Sequence, residues 1–276
     1  MYKHARLAHS LLAIQLLSTA ASADTTLEYL LQETSRSPAK PQPVMIKNGQ
    51  IMLKGAGGDD KLDILYTQAQ EKLVIIDHRK RSYMPVDERQ VNQISQQTES
   101  LQPLLQGFGQ QVRNLSPEQR KKWEQMLGGN VSLDQIASAA EPVQQASIVK
   151  TGLGKNVAGV SCEQMNVLEG KATVAEVCLA KPDALQLSGE DYATLRSLFG
   201  LSERIAEKTH GLAKQFGVKL PNLSVREILG VPIEMRDLSG KQHGSVTLSR
   251  IVTSAVAEDV MQIPGGYRAE QFKLWK

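Results

Sequence analysis

The chain lacks the short signatures that most often betray chemistry. No G-x-S-x-G, G-x-G-x-x-G or G-x-x-x-x-G-K occurs in its 276 residues, so neither a nucleophile elbow nor a phosphate-cradling turn is encoded locally. Cysteine is nearly absent, with two residues and no C-x-x-C, which argues against thiol redox catalysis. No H-E-x-x-H or H-x-x-x-H spacing surrounds His210, and Asp59, Asp60 and Asp63 lack the D-x-D-x-D-G order of a calcium loop. No apolar run reaches the roughly 20 residues of a membrane-spanning helix. The expectation is therefore no metal, no cofactor and no membrane-spanning helix.

What is present begins with an export-type leader. Lys3 and Arg6 form a basic start, Leu11 to Leu17 an apolar stretch interrupted by Gln15, and Ala21-Ser22-Ala23 an A-x-A ending, so residues 1–23 read as a cleaved signal peptide. The mature chain would start at Asp24, as a single domain over 24–276 in the periplasm. With no cysteine at the junction there is no thiol to acylate. Removal of Lys3 and Arg6 takes the formal charge from +3 toward neutrality, which leaves no global attraction to nucleic acid or anionic lipid.

In an oxidising compartment Cys162 and Cys178 read as a disulfide. Each ends an apolar run, and Leu168 to Lys171 between them reads as a turn. A hairpin centred on Gly170 would place the two cysteines directly opposite, within bridging distance.

Hydrophobic periodicity divides the rest. Val44 to Met84 reads as short strands with tight links, led by the Asn48-Gly49 hairpin signal. Residues 87–145 carry helical spacing, including the capping sequence Ser116-Pro117-Glu118-Gln119. Strands resume near Ile148. A second helical region follows at 188–217, capped by Ser188 and broken at Gly200, before a last group of strands. This order predicts an α+β fold: a curved antiparallel half-barrel sheet with helices on its concave face.

Histidines 78, 210 and 243 each stand alone in sequence, and His78-Arg79-Lys80-Arg81 reads as a solvated strand-to-strand tip. Several short elements nevertheless share an order with a known group: Lys47-Asn48-Gly49-Gln50-Ile51, Leu73 to Asp77, Lys80-Arg81-Ser82-Tyr83, Asn156 to Val167, Gly230-Val231-Pro232-Ile233 and Ile263-Pro264-Gly265-Gly266-Tyr267. Together they resemble exported bacterial proteins related to the lipoprotein-localisation carriers (LolA/LolB-like). The resemblance implies an incomplete antiparallel barrel able to enclose an apolar cavity. Val160 and Met165 stand where those proteins usually carry aromatics, and lipoprotein transport itself is not implied.

The function expected from these readings is non-enzymatic binding of an apolar ligand or a lipidated partner between sheet and helices. Ile46, Ile51, Leu62, Ile64, Val74 and Ile76 are the candidate cavity wall, and Leu101, Leu104, Leu105 and Phe108 a possible lid. The alternatives are an envelope-assembly or protein-interaction module with a filled core, displaying a stripe around Trp123, and a hydrolase that would need a histidine and an acid brought within hydrogen-bond reach.

Overall fold

The computed structural model describes residues 24–92, 111–112, 114–126, 146–215, 229–239 and 243–271. Among the described residues, twelve strands form one sheet: β1 (Thr25–Gln32), β2 (Lys40–Lys47), β3 (Gln50–Leu53), β4 (Leu62–Thr67), β5 (Lys72–Asp77), β6 (Ser82–Val86), β7 (Ala146–Val157), β8 (Val160–Glu169), β9 (Ala172–Ala180), β10 (Val231–Asp237), β11 (Ser245–Thr253) and β12 (Arg268–Ala269). Their spatial order is β12-β6-β5-β4-β3-β2-β1-β11-β10-β9-β8-β7. Two α-helices are described at length, α1 (Pro117–Met126) and α2 (Gly189–Gln215).

This corrects the expected half-barrel of α+β type with helices layered on its concave face. The sheet dominates, and it is mixed, because β12 pairs parallel to β6 while the remaining pairs are antiparallel. Sequential hairpins explain the antiparallel part. Asn48 and Gly49 both adopt positive φ, and Lys47 faces Gln50 across them, as the Asn-Gly signal requires. A second tight turn, at Ala158-Gly159, joins β7 to β8. Alanine rarely accepts positive φ, so that hairpin is absent from the sequence reading.

The predicted break at Gly200 does not occur either. Helix α2 runs through it, because Leu195 and Leu201 on either side are buried against the sheet and Phe199 packs with them. That burial outweighs the roughly 1 kcal/mol that a mid-helix glycine costs. Both predicted start signals form. Asp191 N–H donates to Ser188 Oγ at 3.0 Å, and Ser116 and Gln119 exchange hydrogen bonds in a capping box at the head of α1.

Cys162 and Cys178 are joined by a disulfide with a Cα–Cα distance of 5.5 Å. They are diagonal rather than directly opposite: Cys162 faces Ala180, and Cys178 faces Gln164. The turn places Glu169 across from Ala172, and a bulge between Val167 and Leu168 shifts the register further. Strand twist shortens one diagonal of such a pair, which keeps the bridge in reach.

Candidate functional site

The strands β1 to β6 present two faces with different fates. On one face, Met52, Leu65, Val74 and Ile76 pack with Val256 and Met261. Ile263 and Tyr267 join them, so residues 256–267 of the chain's own C-terminal region form a strap over this side. On the other face, the cross-strand row Thr25, Ile46, Ile51 and Tyr66 is fully buried beside α2. A polar seam fixes the helix there. Tyr66 shares a 2.6 Å hydrogen bond with Ser197, Thr194 Oγ1 donates to Gln68 Oε1 at 2.8 Å, and Thr25 Oγ1 donates to Asp191 Oδ2 at 3.5 Å. Burial pushes the Tyr66 hydroxyl up, so it stays neutral and remains a hydrogen-bonding group.

Two residues along each strand the picture changes. Leu53 faces Ile64, Ile64 faces Ile75, and Ile75 faces Met84, making an apolar ladder across β3, β4, β5 and β6. All four side chains are only half-buried, and none belongs to the three packed clusters. The ladder continues inward through Val44 to Leu27, where it enters the buried core. Three interstrand spacings make it about 14 Å long.

The candidate cavity wall is therefore split. Ile46, Ile51, Leu62 and Ile64 lie on the helix-bearing face, whereas Val74 and Ile76 pack under the strap on the opposite one. Of the first four, Ile46 and Ile51 are sealed, and Leu62 and Ile64 are half-buried. Leu101, Leu104, Leu105 and Phe108 lie outside the described residues. Leu53, Ile75 and Met84 are not among the candidates, although the register that follows from Asn48-Gly49 pairs Val44 with Leu53 and so puts Leu53 on the Ile51 side.

His78 is not alone. Its Nε2 lies 2.7 Å from Asp63 Oδ2 and its Nδ1 2.9 Å from the Tyr267 hydroxyl. Lys54 Nζ donates to the same carboxylate at 2.6 Å, and Gly55 N–H donates to its other oxygen at 3.2 Å. Burial alone would push the Asp63 carboxyl up. The hydrogen bonds from Lys54, His78 and Gly55 outweigh it and hold the group below the usual carboxylate range. An ionised Asp63 accepts from Nε2–H, and in the tautomer protonated there alone Nδ1 accepts from Tyr267. His243 Nδ1 lies 3.2 Å from the Asp237 carbonyl, a turn contact.

No family model matches the chain, and no curated protein matches it. Among solved structures, the chain is similar to an uncharacterized conserved protein from Thermus thermophilus, with 4% identity, a TM-score of 0.38, and coverage of 91% of this chain and 92% of that one.

Proposed function

We propose that this protein works in the periplasm, after loss of residues 1–23, as a binding protein for an apolar ligand such as an acyl chain or the lipid of a lipidated partner. The observation that carries the reading is the half-buried ladder Leu53, Ile64, Ile75 and Met84 beside a sealed core. Covering the exposed part of each side chain is worth about 1 kcal/mol, so a chain lying across the ladder gains about 4 kcal/mol from this wall. The ladder is one residue wide along each strand, which suits a linear chain better than a planar ring system. The resemblance to the carrier-related exported proteins supports the same reading.

The test is native mass spectrometry of protein purified from the periplasm without detergent, compared with an Ile75→Asp variant. Expected is a co-purified lipid-sized mass in the wild type that is lost in the variant while the melting temperature changes little. Wild-type protein with no adduct, and no uptake of added fatty acid, would reject the reading.

A second reading, an interaction module, is favoured by Trp123, which is 43% exposed on α1. It predicts that Trp123→Ala abolishes cross-linking to an envelope protein while lipid content stays unchanged.

A further inference from the structure

On the strap side of the sheet, Asp63, His78 and Tyr267 come from β4, the β5–β6 turn and the C-terminal strap, separated by up to 204 positions yet hydrogen-bonded in series. The Asp63 side chain is 4% exposed and that of His78 26%, so the network is sealed at its acidic end and partly exposed at the imidazole. Tyr267 itself is half-buried. Gly265 and Gly266 precede it, both exposed, and a side chain at Gly265 would meet nothing within 4 Å. The tip of Arg81 lies 3.7 Å from where a Cβ on Gly266 would sit, one residue before the tyrosine, and Arg268 N–H donates to the Arg81 carbonyl. Among the described residues Arg81 has no carboxylate partner.

From this geometry we infer that Tyr267 is a nucleophile activated by His78, and that it accepts a phosphoryl group from a phosphoric ester whose charge is met by Arg81. In the step, the Tyr267 oxygen forms a bond to phosphorus and its proton passes to His78 Nδ1. The bond from phosphorus to the leaving oxygen breaks, and that oxygen takes the proton from His78. Asp63 is a positioning residue: it fixes the ring with Nδ1 toward the tyrosine and stabilises the imidazolium that forms. The site lies on the face opposite the apolar ladder and stands or falls independently of ligand binding there. It also departs from the expectation of a purely non-enzymatic protein.

The test uses diisopropyl fluorophosphate, in which fluoride is the leaving group, with the intact protein and peptide mapping by mass spectrometry. Expected is modification at Tyr267 in preference to Tyr29, Tyr66, Tyr83 and Tyr192, with a rate on the order of 100-fold above that of His78→Gln, the typical gain from a general base. Asp63→Asn should lower the rate and move its pH profile, and Tyr267→Phe should abolish the adduct. A Tyr267 rate equal to that of free N-acetyltyrosinamide, or one unchanged in His78→Gln, would overturn the inference and leave the three residues as a structural latch. Circular dichroism and an intact disulfide in each variant separate loss of reactivity from loss of fold.

Discussion

Under the strap, strands β3 to β5 bury Met52, Leu65, Val74 and Ile76 completely or nearly so. On their other side the same strands leave Leu53, Ile64 and Ile75 half-covered. Alternation puts apolar residues on both faces, so composition alone does not separate them. The difference lies in what the chain lays over each face. Residues 256–267 pack across the first face, whereas among the described residues α2 packs over the Ile46, Ile51 and Tyr66 row of the second. A face closed by the protein's own chain is core, and an apolar row left at the edge of a closed face is where a ligand gains most from burial.

The comparison breaks most directly with one substitution made twice. Met52→Ala, in the sealed face, should cost about 2 to 5 kcal/mol in chemical denaturation. Met84→Ala, on the ladder, should cost about 1 kcal/mol and lower ligand content instead. Equal losses of stability would mean that the two faces are equally packed. Next in size is the disulfide on the far half of the sheet. Closing a loop with a sequence separation of 16 contributes about 3 kcal/mol, so replacing Cys162 and Cys178 together by serine should lower the unfolding free energy by that amount without altering ligand binding.

Asp63→Asn should cost about 2 kcal/mol at neutral pH, since it weakens charged hydrogen bonds to Lys54 and His78. The sign of the pH effect is fixed. A carboxyl held low in the folded state stabilises above its ordinary value, and that contribution disappears as pH falls through the lower folded value. The gap between wild type and variant should therefore close as pH falls below about 4 in urea titrations. Ser188→Ala, which removes the cap of α2, should likewise cost about 1 kcal/mol by thermal melting.

Local chemistry was legible where one or two residues decide the outcome. Asn48-Gly49 sets a register, Ser188 and the Ser116 to Gln119 box start helices, and Cys162 and Cys178 find each other. Signals failed where tertiary contacts decide. Gly200 reads as a helix stop, yet Leu201 is wholly buried and carries the helix on. Ala158 takes a positive φ that no propensity favours, and the β8–β9 bulge displaces the cysteine register without a glycine or proline to announce it. The parallel pairing of β12 with β6 joins chain segments almost two hundred residues apart, and with it arrives the contact between Tyr267 and His78. No spacing rule reaches across such a distance. One ladder residue of four was legible: Ile64 stands among the candidates, while Leu53, Ile75 and Met84 needed the register of successive hairpins.

The central claim is that an apolar chain lies on the open side of β3 to β6, and photo-cross-linking with a diazirine-bearing fatty acid tests it most directly. Label on Leu53, Ile64, Ile75 or Met84, competed away by unlabelled fatty acid and absent from Met52 and Val74, is the predicted result. Label spread over the surface without competition, or none on the ladder, would contradict it.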